Sequence, residues 1–100
     1  MKRLLVQYKV KEDKAGENIE FINKVFKELT ENTPNGIRYA SFLKPDGLSF
    51  VHIASIETED GSNPLSNSTA FAQFQKGIKE RCEVMPIAVE LSEIGSYNLF

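Results

Sequence analysis

The chain has one cysteine, Cys82, and one histidine, His52, in 100 residues. A lone cysteine cannot close an internal disulfide. One histidine, one cysteine and no close acidic cluster fall short of the three or four ligands of a metal site. There is no Gly-rich phosphate loop, no dinucleotide fingerprint and no Ser–His or Cys–His nucleophile motif, so no cofactor is expected. No apolar run approaches the roughly 18 residues of a membrane span. Met1-Lys2-Arg3 before Leu4-Leu5-Val6 starts like an export signal, but Gln7, Lys9 and Lys11 interrupt the apolar region and no small-residue cleavage site follows. With the lone thiol, this gives the expectation of a cytoplasmic protein. Lysines are scattered and the formal charge is −2, so neither nucleic acid nor an anionic membrane is expected as a partner.

What remains is the composition of an ordinary folded domain, 41% hydrophobic and 26% charged, and its length fits one domain over 1–100. Residues 3–10 alternate as a strand, with Leu4, Val6, Tyr8 and Val10 on one face and Leu5, Gln7 and Lys9 on the other. Residues 14–31 carry Ile19, Ile22, Val25, Phe26 and Leu29 at spacings of three and four, an amphipathic helix, with Asp13 as its N-cap. Asn32-Thr33-Pro34-Asn35-Gly36 ends it. A polar loop over 57–66 leads to a second helix at 68–82, capped by Asn67 or Ser68, with Phe71, Phe74, Ile78 and Cys82 in one stripe. Residues 84–94 form the last strand, where Pro86 requires an edge position or a bulge.

Between the helices lies a hairpin, strands 37–44 and 48–57. Pro45-Asp46-Gly47 has the residues of a three-residue loop with a left-handed third position. That loop pairs Phe42 with Phe50, Ala40 with His52 and Arg38 with Ala54. Arg38, Ala40, Phe42, Phe50, His52 and Ala54 then share one face, and Tyr39, Ser41 and Val51 take the other.

The order β-α-β-β-α-β, with right-handed crossovers, predicts an α+β ferredoxin-like fold. Strands 3–10 and 48–57 are central, the other two lie outside, and both helices cover one face of an antiparallel sheet. The opposite face is too apolar to be simply solvated, and a twofold-related copy is the simplest cover, making a homodimer.

The Gly36-Ile37-Arg38-Tyr39 entry, the turn, Phe50-Val51-His52-Ile53-Ala54, then Asn63-Pro64-Leu65 and the Phe71 to Phe74 helix together resemble the antibiotic-biosynthesis-monooxygenase-like family. The resemblance spans nearly the whole chain. It implies a dimeric α+β barrel with a pocket in each subunit, between sheet and helices. Some members oxidise quinol-like or polycyclic aromatic substrates with O₂ and neither metal nor flavin; others degrade haem. This chain has no tryptophan and no histidine on its second helix, so the resemblance carries over the fold and the pocket but no catalytic residue.

On the residues themselves, His52 is the sharpest candidate. With a reference pKa of about 6.5 it can deprotonate a phenol or quinol, with Arg38 stabilising the oxyanion. Ala40 and Ala54 leave room for a small aromatic ligand between Phe42 and Phe50, and Phe71 and Phe74 supply a wall. The plainer readings stand beside these: a core histidine bonded to a neighbour such as Tyr8, an edge arginine paired with a carboxylate, and Tyr39 packed in the dimer interface. A cofactor-independent monooxygenase and a non-catalytic module for a small apolar ligand both fit the sequence.

Overall fold

The computed structural model describes residues 1–100. Strand β1 (Lys2–Val10) leads through a 3-10 turn to helix α1 (Ala15–Asn32), then to strands β2 (Ile37–Leu43) and β3 (Ser49–Ile56). A second 3-10 turn precedes helix α2 (Thr69–Lys76), the short helix α3 (Ile78–Arg81) and strand β4 (Cys82–Leu91). The sheet order is β2-β3-β1-β4, all neighbours antiparallel. This is the ferredoxin-like arrangement, with β1 and β3 central. No helix is long and apolar enough to cross a membrane.

Helix α1 buries Asn18, Ile22 and Val25 against the sheet, positions spaced four and three apart on one face. Its N-terminus has no side-chain cap, so Asp13 does not serve as one. It stops where Thr33 turns left-handed (φ 42°) and returns its N–H to Leu29, with Pro34 next. Ser68 caps α2, its hydroxyl accepting from the Phe71 N–H. The expected single helix over 68–82 is broken at Gly77. A side chain there would come within 2.8 Å of the Arg81 guanidinium. Arg81 joins the inward stripe, and Cys82, still buried in the core as expected, opens β4 in extended conformation. At Pro86, β4 is both an edge strand and irregular: its register against β1 shifts between Gln7 and Lys9.

The hairpin differs from expectation by one residue. The Asp46 carboxylate accepts from the N–H groups of Leu48 (2.9 Å) and Ser49 (2.8 Å) and from the Ser49 hydroxyl (2.6 Å). These bonds hold the Asp46 carboxyl down at about 2, the Ser49 hydroxyl contributing most. They also close a four-residue loop, Pro45–Leu48, in which the Lys44 N–H meets the Ser49 carbonyl at 2.8 Å. Ser41 then faces His52, Phe42 faces Val51 and Tyr39 faces Ala54. Because side chains alternate, the slip exchanges the faces of β2. Tyr39 and Ser41 join His52, Phe50 and Ala54 under the helices, and Arg38, Ala40 and Phe42 lie on the opposite face.

That opposite face stays open. Phe42, Ile87 and Val89 are about half exposed or more. The apolar tail does not cover it fully: Phe100 packs on the Arg3 guanidinium at 4.0 Å, while Ile94, Tyr97 and Leu99 are exposed.

Candidate functional site

His52 lies mid-strand in β3, buried, with aromatic neighbours from both flanking strands. Tyr8 of β1 stacks on it at 5.3 Å and Tyr39 of β2 at 5.9 Å, with Phe74 of α2 tilted at 5.5 Å. Tyr8 and Tyr39 are its diagonal cross-strand neighbours, a separation that aromatic side chains span.

Every polar atom here has a partner. The Tyr8 hydroxyl is 2.8 Å from His52 Nε2, and His52 Nδ1 is 2.6 Å from Ser41 Oγ and 3.0 Å from the Tyr39 hydroxyl. Behind Tyr8 the series continues. Asn18 Nδ2 donates to the Tyr8 oxygen at 2.8 Å, and Arg81 Nε donates to Asn18 Oδ1 at 3.0 Å. Arg81 Nη2 donates to the Phe74 carbonyl at 2.6 Å.

Donor accounting fixes the direction of these bonds. Asn18 already donates to the Tyr8 oxygen, so the Tyr8 proton has one acceptor, His52 Nε2. Reversing the imidazole would strand that proton in the core, a cost of about 1–3 kcal/mol. His52 therefore carries its proton on Nδ1 and donates toward Ser41 and Tyr39.

Burial pulls the His52 pKa from 6.5 down to about 4, leaving a neutral ring at pH 7. Burial also pushes the Tyr39 phenol up to about 12, against the Ser41 hydrogen bond. It raises the Tyr8 phenol further still and raises the Cys82 thiol. All four groups are uncharged at neutral pH, and the Arg81 guanidinium is the buried charge among them.

Beside this array is a cavity of about 230 Å³ between sheet and helices, lined by 13 residues, 9 of them hydrophobic. Tyr8, Tyr39 and His52 are its polar lining, and Phe71 and Phe74 pack against them. Ala54, opposite Tyr39 in the sheet, leaves room in the floor. Asn63 and Gln75 bring amide groups to the lining.

Of the residues singled out in the sequence, His52, Ala54, Phe71 and Phe74 meet at this cavity. Phe50 is buried beside it, stacked on Tyr8 at 5.4 Å. Arg38, Ala40 and Phe42 are across the sheet. Arg38 pairs with Glu57 at 3.2 Å, so it does not reach His52. The Ser55 hydroxyl first, and Arg38 after it, hold the Glu57 carboxyl below its usual range. Tyr39 corrects in the other direction: it belongs to the cavity, not to the outer face. His52 itself, with both nitrogens engaged and a lowered pKa, is a weak base. Asn18, Gln75 and Arg81 have no candidate role in the sequence, and Asn63 enters it only through the Asn63-Pro64-Leu65 part of the resemblance. Asn18 does leave a trace in the sequence, as the polar member of the buried stripe 18–22–25.

Solved structures share this architecture. A crystal structure of an antibiotic biosynthesis monooxygenase matches with a TM-score of 0.76 at 14% identity, over 95% of this chain and 100% of that one. This chain has the antibiotic biosynthesis monooxygenase fold. PA3566 from Pseudomonas aeruginosa matches at 0.75 and 12% identity, over 94% of each chain. A mutant of SnoaB, a cofactor-independent oxygenase from Streptomyces nogalater, matches at 0.70 and 11% identity, over 97% of this chain and 96% of that one. No protein-family model and no curated protein matches the chain. Within the monooxygenase fold, the cavity sits between the sheet and the helices, with the His52 array in its wall.

The buried neutral histidine makes stability depend on pH. The unfolded chain binds a proton near pH 6.5 and the folded chain only near pH 4. Stability from this group is therefore complete above pH 6.5 and falls as pH drops through that window, by an amount on the order of 3 kcal/mol. Urea unfolding between pH 7.5 and 4 should show this slope, and His52→Gln should flatten it. An equal slope in both proteins would contradict the burial of a neutral ring.

Proposed function

We propose that the protein is a cofactor-independent monooxygenase acting on a phenolic or quinol-type small molecule. The observation that carries this reading is the cavity itself, a small aromatic-walled space whose polar groups, His52 and Tyr39, stand side by side at one wall. On this reading an aromatic ring lies beside the Tyr39, Phe71 and Phe74 rings, over Ala54, with its hydroxyl toward Tyr39. The fold shared with an antibiotic biosynthesis monooxygenase and with SnoaB supports the reaction class. In such a reaction the substrate supplies all four electrons. A quinol and O₂ give a hydroxyquinone and water: one oxygen atom enters the ring and the other leaves with two hydrogens. His52, through its Nδ1 proton, holds the Tyr39 and Ser41 oxygens at the polar wall.

A second reading, a non-catalytic module for a small apolar ligand, draws support from the low basicity of His52 and the partners on both of its nitrogens. The two readings separate in one experiment. An oxygen electrode with a panel of quinols should record O₂ uptake that His52→Ala reduces at least tenfold while circular dichroism stays unchanged. Thermal stabilisation by the same compounds with no O₂ uptake would overturn the enzyme in favour of the module.

The reading includes a homodimer, which an apolar patch on the helix-free side supports. Phe42, Ile87 and Val89 form an exposed apolar patch on the helix-free side, and a homodimer joined there would cover it. Cys82, buried and without a disulfide partner, fits the expected cytoplasmic location. Light scattering after size exclusion should give a dimer at micromolar concentration and a monomer for Ile87→Asp. A monomeric wild-type chain would contradict the dimer.

A further inference from the structure

Tyr39 stands between two spaces. On one side is the cavity of about 230 Å³ beside the His52 array. On the other, where α1 ends and β2 begins, is a more open hollow of about 220 Å³ whose apolar lining is Phe26, Leu29, Pro34 and Ile37. Tyr39 is the one residue that lines both. Its ring is packed from each. Phe26, of the hollow, stacks on it at 5.3 Å. From the cavity, His52 stacks on it at 5.9 Å and Phe71 meets it edge-on at 6.3 Å.

This partition is fixed at its tip as well. The Tyr39 hydroxyl is bonded to Ser41 and lies 3.0 Å from His52 Nδ1. Turning the side chain out of the way would break those bonds and bare the Phe26 and Phe71 rings, so the ring keeps its place.

The space on the cavity side then sets the size of the ligand. A cavity of about 150 Å³ takes one benzene molecule, roughly 25 Å³ per ring carbon. On that scale the cavity of about 230 Å³ takes about ten non-hydrogen atoms. That is one ring with its substituents, or two fused rings. Three fused rings have roughly fourteen carbons and need about 350 Å³. Such a space exists here only if the hollow is joined to the cavity.

We propose that Tyr39 determines specificity by size: its ring limits the ligand to one aromatic ring or two fused rings and shuts it out of the hollow beyond. This deepens the monooxygenase reading and rests on it for the aromatic ligand class, but not for turnover. Replacing the ring with a small side chain joins the two spaces and nearly doubles the room.

Two phenols that differ by one fused ring, 2-naphthol and 9-phenanthrol, test this by calorimetry. The wild-type chain should bind 2-naphthol and bind 9-phenanthrol at least tenfold more weakly. Tyr39→Val, which suits a strand position, should bind 9-phenanthrol at least tenfold more tightly than the wild type does. Should Tyr39→Val fail to fold, Tyr39→Leu takes its place. Tyr39→Phe should keep the wild-type preference, because the ring and not the hydroxyl forms the partition. Equal wild-type affinity for the two phenols, no binding of 2-naphthol, or exclusion of 9-phenanthrol from the opened variant overturns the proposal. So does a Tyr39→Phe chain that admits 9-phenanthrol as the opened variant does. The expected preference without O₂ uptake on quinols would sustain the size limit and reject the enzyme. O₂ uptake by a chain that binds both phenols equally would do the reverse, so the two readings fail separately.

Discussion

The Arg81 guanidinium ties the layers of this protein together. From the last turn before β4 it reaches the Phe74 carbonyl in α2 and Asn18 in α1, and Asn18 reaches Tyr8 in β1. Tyr8 passes the connection to β3 through His52, which ends against β2 at Ser41 and Tyr39. Burying a guanidinium costs several kcal/mol. Charge-assisted bonds of about 1.5–3 kcal/mol each and the flanking Phe21 and Phe74 rings offset that cost. Gly77 leaves the space that the guanidinium fills. Because each acceptor is also a donor to the next group, the orientation of the Asn18, Tyr8 and His52 hydrogens follows from this one cation.

The same array explains why His52 is unsuited to the role its residue type first indicates. A histidine near a pocket invites the role of general base, which works best with a pKa near the operating pH. Burial among Tyr8, Tyr39 and Phe74 removes that match. What the ring offers instead is rigidity and a fixed Nδ1 proton.

The order of elements, the central pair of strands and the helix-covered face were legible in the alternation of 3–10, the stripe of α1 and the hairpin's position between two helices; the pocket between sheet and helices was implied only by the family resemblance. His52, Ala54, Phe71 and Phe74 were legible as a group because they depend only on which face of β3 and α2 turns inward. Tyr39 and Arg38 were not, because their faces depend on the length of a turn. Pro45-Asp46-Gly47 is compatible with three- and four-residue loops, and the three bonds to the Asp46 carboxylate decide between them. Arg81 was hidden for a different reason: seven residues past Phe74 it shares that helix face, but an arginine beside a helix end reads as solvated, and only Asn18 and the Phe74 carbonyl hold it inside.

The account stands on the direction of the buried hydrogen bonds, and the chain's single histidine makes that direction measurable. Nitrogen-15 NMR of histidine-labelled protein at pH 7 gives one pair of ring signals, free of overlap. A protonated Nδ1 and a bare Nε2, unchanged down to about pH 5 as the lowered pKa requires, is the predicted result. A proton on Nε2, or an imidazolium at pH 7, would contradict it.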